Sequence, residues 1–88
     1  MNIRFFIDPE TNEPHIFNHN VTEEEVIEAL HNAAEERRAR NHTRAVIGQT
    51  KTGRYLRLYF APEPGGIIVI TAYDLPEKQL KAFRRRRK

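Results

Sequence analysis

The chain has 88 residues, of which 39% are hydrophobic, and it contains no cysteine. A chain of this length forms one domain with one small core, predicted to span residues 1–88. Without cysteine there is no disulfide, and no thiolate is available as a nucleophile or a metal ligand. The apolar run near the start is too short for a signal peptide, and no stretch approaches the roughly 20 apolar residues of a membrane span. These features predict a soluble cytoplasmic protein.

Charge is divided unevenly along the chain. Residues 1–36 carry nine acidic side chains and one basic one, a net −8, whereas residues 37–88 carry fourteen basic and three acidic ones, a net +11. Such a division produces opposite electric fields on different parts of the surface. The basic half predicts a polyanionic partner. The alternative is an ordinary charged surface that ends in a solvated basic tail at residues 84–88.

The elements are predicted in the order β-α-β-β-β-α. A short strand over residues 3–7 is followed by a turn rich in proline. The helix predicted over 22–39 begins at a capping box formed by Thr22 and Glu25, and apolar residues then recur at helical spacing. Glutamates in its first turn and arginines near its end both suit the helix dipole, so part of the charge division has a structural explanation.

Two strands then form a predicted hairpin. Residues 43–50 lead into Lys51-Thr52-Gly53, where glycine permits the positive φ of a tight turn. The returning strand, residues 54–60, alternates between two kinds of side chain. Its core set is Leu56, Leu58 and Phe60, and its outward-facing set is Tyr55, Arg57 and Tyr59.

A continuously apolar strand over 67–73 is typical of a strand covered on both faces. Asp74 is predicted to cap a final helix that has Pro76 in its first turn and runs into the basic tail. The predicted fold is therefore α+β: a small antiparallel sheet of three to four strands with helices packed on it.

The hairpin carries the more specific functional signal. Cations that hold phosphates, interleaved with aromatic rings that stack on bases, are what single-stranded RNA recognition requires. The predicted RNA surface has Arg44, Arg54 and Arg57 as its cations, and its remaining members are Lys51, Tyr55, Tyr59 and Tyr73, with an auxiliary clamp at Arg84, Arg85, Arg86 and Arg87. The alternative is that a helix packs on this face and the tyrosines fill a core.

The histidines are candidates for acid–base chemistry. His42, just before the basic strand, is the one placed to act as a general acid or base on that surface. His15 and His19 have a spacing that suits a metal only on a helix, and Pro14 with the strand-like residues that follow argues against a helix there. No metal or cofactor is predicted.

Three segments, taken in order, resemble the BrnT-type toxins of the RelE superfamily. The first, His19-Asn20-Val21-Thr22-x-Glu24-Glu25, is similar to their His-Gly-Val-Ser-x-Glu-Glu opening. The second, Arg44-Ala45-Val46-Ile47-Gly48-Gln49-Thr50-x-x-Gly53-Arg54-x-Leu56, resembles their hairpin. The third, Ile67-Ile68-Val69-Ile70-Thr71-Ala72, resembles their apolar strand, after which these toxins usually carry an arginine where this chain has Tyr73.

The resemblance implies a RelE-like fold and a metal-free toxin that cleaves mRNA and is neutralised by a cognate antitoxin. A base would take the proton of a ribose 2′-OH, which attacks the adjacent phosphate while cations stabilise the developing charge. The matched positions imply that Arg44 and Arg54 are the phosphate-side cations, and the strand alternation adds Arg57. The three segments resemble a related uncharacterised family of small RelE-like domains equally well. The alternative function is a non-catalytic nucleic-acid-binding or protein-interaction domain of the same fold.

Overall fold

A five-stranded mixed sheet forms the centre of the molecule, which we describe from a computed structural model over residues 2–87. Its elements are β1 (Asn2–Phe5), β2 (Ile7–Asp8), β3 (Glu13–Pro14), a 3₁₀ helix (His15–His19), α1 (Glu23–His31), β4 (Ala33–Arg38), β5 (Arg44–Gln49), β6 (Tyr55–Glu63), β7 (Gly66–Asp74) and α2 (Glu77–Arg86). Two residues of the predicted domain, Met1 and the tail residue Lys88, lie outside the described residues.

The strand order in the sheet is β1-β7-β6-β5-β4. β1 pairs with β7 in parallel, and the other neighbours are antiparallel. β2 and β3 form a separate two-stranded ribbon. The predicted α+β class is confirmed, but the prediction of three to four antiparallel strands was wrong, because β4 adds a fifth strand at one edge and β1 pairs in parallel with β7.

The predicted helix over 22–39 ends at His31, and its second half is the edge strand β4. The capping box is present: the N–H of Glu25 donates to Oγ1 of Thr22 at 3.1 Å, and the N–H of Thr22 donates to Oε1 of Glu25 at 3.0 Å. Beyond it, alanine, glutamate and arginine favour a helix locally, but pairing with β5 satisfies the backbone as a strand. The arginines near the predicted helix end therefore lie on a strand and its turn, and not in the last turn of α1.

A tight turn joins β4 to β5. Asn41 and His42 both have positive φ, 57° and 60°, and the N–H of Thr43 donates to the carbonyl of Arg40 at 3.1 Å. This is the pattern of a type I′ hairpin turn, in which asparagine is favoured at a left-handed position. It places His42 at the exposed tip of the hairpin.

α1 and the 3₁₀ helix cover one face of the sheet and form the main core with it. The apolar residues in this core are Ile16, Val21, Val26, Ala29, Val46, Leu56, Leu58, Ile67, Val69 and Ala72. α1 lies directly against the backbone of β5, since a Cβ added at Gly48 would meet the carbonyl of Ala29. The expected inward set of the hairpin strand is confirmed for Leu56 and Leu58, which are fully buried.

α2 packs on part of the other face through Phe83, which is 3% exposed and clusters with Ile47 and Leu75. The ring of Tyr55 lies 5.6 Å from that of Phe83, between centroids. For Tyr55 the alternative of a helix packed on this face is correct, because α2 covers its ring. The prediction that Asp74 caps α2 was wrong, because Asp74 is the last residue of β7 and Pro76 occupies the N-cap position.

The segment from His15 to His19 is a single 3₁₀ turn rather than the non-helical stretch predicted from Pro14. Proline is compatible with this because it precedes the first helical residue, where no backbone donor is needed. Within residues 2–87, no helix is long and apolar enough to cross a membrane.

Candidate anion-binding groove

The three arginines predicted to form one phosphate surface lie at different places. Arg44 stands opposite Phe60 in the ladder, on the α1 side of the sheet, and its Nε donates to Oε2 of Glu36 at 2.7 Å. Arg57 stands opposite Ile47, on the α2 side. Arg57 shares its face with its ladder partner Ile47. Ile47 and Arg44 are three residues apart on β5, and successive strand residues alternate between faces, so Arg44 lies on the opposite face.

Arg54 is held by three parts of the chain at the edge of the main core. Its Nε donates to Oδ1 of Asp74 at 2.6 Å, and its Nη1 donates to both carboxylate oxygens of Glu25 at 3.1 Å. Nη1 also donates to the carbonyl of Asn20 at 2.8 Å. The side chain is 24% exposed. Arg54 therefore ties the end of β7 to the start of α1 and to the end of the 3₁₀ helix.

The hairpin motif around Arg54 has a structural explanation as well. Oγ1 of Thr50 accepts the backbone N–H of Arg54 at 3.0 Å, and Gly53 adopts the left-handed φ of 94°. Glycine takes that conformation without the steric cost that a Cβ brings. Thr50, Gly53 and Arg54 together close the turn and dock it on the rest of the fold.

Two rows of side chains cross the α2 face of the sheet. One row runs from Glu35 on β4 through Ile47 and Arg57 to Tyr73 on β7. The next row is Arg37, Ala45, Tyr59 and Thr71. Because α2 packs over the first row, where it contacts Ile47, Arg57 and Glu35, the second row remains open beside the helix.

A groove of about 710 Å³ lies between this open part of the sheet, the β4–β5 turn and α2. It is lined by Arg37, Arg38, Ala39, Arg40, Asn41, Thr43, Ala45, Arg57, Tyr59, Ile70, Thr71, Gln79, Ala82 and Arg86. Five of these are arginines, and in the part of the chain that the structure describes no carboxylate lines the groove. Clustered cations around a concave surface with low-dielectric walls focus the field and attract anions.

Arg57 is the most buried of the five arginines, at 5% exposure. Its Nη2 donates to Oε1 of Gln79 on α2 at 3.1 Å, and its Nε is buried with no partner among the described residues. Within residues 2–87 no carboxylate lies within salt-bridge distance of it. A buried cation that forms no salt bridge is costly, by several kcal/mol in proteins, and an anion bound in the groove would offset that cost.

Glu35 lies at the rim of the groove and is paired with Arg86. Nη2 and Nε of Arg86 donate to its two carboxylate oxygens at 2.8 and 3.0 Å. These hydrogen bonds lower the pKa of Glu35, and the positive charges of Arg37 and Arg57 lower it further. The carboxylate therefore stays ionised and neutralises part of the basic field.

Tyr59 lines the groove, and Tyr73 lies next to it on β7. Their ring centroids are 6.4 Å apart, and Tyr73 also contacts the ring of His19 at 5.8 Å. Burial and the neighbouring hydroxyl of Tyr59 raise the pKa of Tyr73, an effect that Arg57 partly opposes. Both tyrosines offer ring faces and hydroxyls beside the arginines.

A family model described as a domain of unknown function, DUF4258, matches residues 15–74, which is more than two thirds of the chain. This chain is a DUF4258 protein. Searches of curated proteins and of solved structures found no match. The DUF4258 match runs from the 3₁₀ helix to the end of β7, so it includes the floor of the groove and Arg57 but not α2.

Other residues predicted for the site of this DUF4258 protein lie away from the groove. His42 lines a separate surface depression with Arg38 and Arg44, and Lys51 borders the acidic side of α1. No histidine of residues 2–87 lines the arginine groove. His42 therefore does not stand beside Arg57, because the type I′ turn directs it to the tip of the hairpin.

Residues 84–86 of the predicted basic tail form the last turn of α2. Arg86 lines the groove, whereas Arg87 lies over the ring of Phe83, with its Cζ 5.8 Å from the centroid. Arg84 borders a smaller depression near Tyr55, and Arg85 is exposed. Only one of the four predicted clamp arginines thus reaches the site.

Sequence reasoning missed several groove residues of this DUF4258 protein. Arg37 and Arg40 were assigned to a helix end, because the run Ala33–Arg38 has no apolar–polar alternation that would indicate a strand. Gln79 and Arg86 share one face of α2, because residues seven apart fall on the same side of a helix. Among the described residues, no group of three histidine or carboxylate side chains is arranged to hold a metal ion.

Proposed function

We propose that this protein binds single-stranded RNA in the arginine groove and that it is a RelE-like protein of the BrnT type. The observation that carries the proposal is the groove itself, where five arginines and Tyr59 line one concavity without a carboxylate among the described residues. Phosphates would contact the arginines, and a base or ribose would pack on Tyr59 and Ile70. The groove thus replaces the hairpin surface that the sequence predicted. A cytoplasmic location is part of the proposal, since that is where mRNA is translated.

A second part of the proposal concerns cleavage. Metal-free attack of a 2′-OH on its phosphate needs cations that stabilise the developing negative charge, and Arg57 with its arginine neighbours would supply them. The reaction also needs a base and an acid. Tyr59 lines the groove and its hydroxyl can supply the acid, whereas His42 lies outside the groove. We therefore propose RNA binding as the primary function and endoribonuclease activity as the further one, with a cognate antitoxin as the partner that covers the groove.

RNA binding is tested by fluorescence anisotropy with a labelled single-stranded RNA at several salt concentrations. We expect the affinity to fall with salt, with a logarithmic slope of about −0.7 for each phosphate contacted. The variant Arg37→Gln/Arg40→Gln should bind about tenfold more weakly, which corresponds to about 1.4 kcal/mol. Binding that is absent or independent of salt would contradict the proposal.

The matched control is Arg84→Gln/Arg85→Gln, which removes the same charge from exposed positions outside the groove. We expect it to weaken binding less than about threefold, as distant surface charges are screened within about 8 Å at physiological salt. An equal loss in both double variants would show that RNA responds only to net charge. That result would favour a diffuse basic surface over the groove.

Cleavage is tested with the same RNA in the presence of EDTA. The expected products carry a 2′,3′-cyclic phosphate and a 5′-hydroxyl, because the 2′-OH is the nucleophile. Intact RNA, at protein concentrations where the anisotropy shows full binding, would remove the endoribonuclease part and leave the binding module. No interaction with RNA at all would favour the protein-interaction alternative.

A further inference from the structure

We infer that Arg57 is the centre of a socket for one phosphate group at the floor of the groove. The identity of the larger ligand, RNA, rests on the proposed function. The phosphate socket itself does not depend on it. It assigns a specific position to one phosphoryl group, held by Arg57 and Gln79, within a groove that otherwise attracts polyanions through its field.

The guanidinium of Arg57 is only partly used by the protein. Nη2 is oriented by its 3.1 Å hydrogen bond to Gln79, and Nε is buried without a partner in the described chain. Nη1 makes no hydrogen bond to the described residues either, and it is not among their buried unpartnered atoms, so solvent reaches it. Arg57 thus offers Nη1 as an accessible donor at a fixed position in a wall of the groove, with the unpartnered Nε directly behind it.

The groups around Arg57 suit a phosphate better than a carboxylate. Gln79 uses Oε1 to accept from Arg57, which leaves its amide N–H groups as donors. The hydroxyls of Tyr59 and Thr71 lie in the adjacent row of the sheet and line the same groove. A tetrahedral group with three or four oxygens can accept from such a spread of donors, and arginine binds phosphate oxygens in pairs.

The volume of the groove, about 710 Å³, leaves room for more than the phosphate. Tyr59 and Ile70 provide an aromatic and an aliphatic surface next to the socket. A phosphate carried on a nucleoside therefore fits the surroundings of Arg57. The phosphate is either the internal diester of an RNA strand or a terminal monoester, and the two sources are separated experimentally.

The test follows the Nε–Hε signal of Arg57 in ¹H–¹⁵N NMR spectra of the whole protein, assigned by its loss in Arg57→Met. Inorganic phosphate should shift this signal saturably, whereas the same ionic strength of chloride should not. A 5′-phosphorylated uridine dinucleotide acting at lower concentration than its 5′-hydroxyl form identifies a terminal phosphate. Equal potency identifies the internal diester. A signal that responds to none of the three phosphates overturns the socket.

Arg57→Met separates a ligand-binding role from a structural one. Replacing a buried, poorly paired cation by an apolar side chain of similar length is often neutral or stabilising, so we expect the melting temperature to be unchanged or higher. The phosphate-dependent rise in melting temperature should be lost. If Arg57→Met is strongly destabilised and phosphate does not raise the melting temperature of the wild type, the role of Arg57 is structural.

Gln79→Ala provides a variant that keeps the fold, because Gln79 is exposed on α2. Loss of one hydrogen bond to an oxyanion predicts phosphate binding about fivefold weaker. The control Lys78→Ala, at the neighbouring exposed position, should change it less than twofold. Equal effects of the two variants would contradict the socket. A normal phosphate response in a protein that does not bind RNA would leave the socket standing and remove RNA as its source.

Discussion

Glu35 and Arg86 lie 51 residues apart and are joined by two hydrogen bonds of 2.8 and 3.0 Å, which connect the edge strand β4 to the last turn of α2. The carboxylate of Glu35 thus engages Arg86, one of the five arginines of the groove. Because RNA phosphates compete for that arginine, Glu35→Gln should strengthen RNA binding about two- to fivefold, the range expected for an exposed ion pair worth up to about 1 kcal/mol. Anisotropy titration measures the change.

Glu36→Gln is the control for this substitution. It makes the same change of charge one residue away, but Glu36 pairs with Arg44 on the opposite face of the sheet. Its effect should stay below that of Glu35→Gln. Weaker binding in Glu35→Gln would indicate that the carboxylate positions Arg86 for RNA instead of competing with it.

Arg54→Ala should destabilise the fold by about 2 kcal/mol, since it removes charge-assisted hydrogen bonds that join β7, α1 and the 3₁₀ helix. Urea denaturation at pH 7 measures the loss. RNA affinity of the folded variant should stay close to that of the wild type. Lys51→Ala, which removes an exposed cation from the same hairpin turn, should change stability by less than about 0.5 kcal/mol. A stable Arg54→Ala that no longer binds RNA would restore its predicted role as a phosphate-side cation.

Stability should fall in acid because of the carboxylates around Arg54. The hydrogen bond from Arg54 lowers the pKa of Asp74, whose ordinary value is 3.8, and that of Glu25, ordinarily 4.5, is lowered first by the N–H of Thr22 and then by Arg54. Groups with a depressed folded pKa stabilise the protein fully above the unfolded value and lose that effect as pH falls through the folded value. The melting temperature should therefore be level above about pH 5 and drop below about pH 4.5.

In Asp74→Asn the acid-induced drop should be smaller, because one of these two carboxylates no longer titrates. Thermal unfolding followed by circular dichroism from about pH 3 to pH 7 gives both curves. Parallel curves for the two proteins would mean that Asp74 contributes nothing to the pH dependence.

Gly48→Ala should destabilise the protein by about 2 kcal/mol or more, because the added methyl group meets the backbone of Ala29 and forces α1 away from β5. Gly65→Ala is the comparison. Its φ of 79° makes an alanine strained, at about 1 kcal/mol, but the added carbon meets no atom within 4 Å. Urea denaturation should rank Gly48→Ala as the more damaging. The reverse order would mean that α1 yields easily.

The parts of the fold that the sequence predicted are those with strong local signals. The capping box at Thr22, the glycine turn at Gly53 and the alternation of Leu56 and Leu58 were all found, because each depends on residues close in the chain. The length of the helix was not, since a strand pairing with β5 decides the conformation after Asn32. Residues with good helix propensity give no local warning of such a pairing.

The site was harder to predict than the fold. Arg57 was singled out from alternation, and it does line the groove, but its partner Gln79 and the neighbours Arg37 and Arg40 come from distant segments. Arg44 and Arg54 carry the same charge as Arg57 and looked equivalent in sequence. What distinguishes them is the presence of Glu36, Glu25 and Asp74 as partners, which only the assembled structure reveals.

The boundary of the family match has a consequence for how this groove can change. The sheet that forms its floor lies within residues 15–74, while Gln79, Ala82 and Arg86 belong to a ten-residue helix beyond that boundary. α2 is anchored to the sheet by Phe83, which packs with Ile47 and Leu75. New side chains at three positions of this helix would give the same floor a different wall, so ligand preference can be redesigned, or can diverge among relatives, with the sheet left intact.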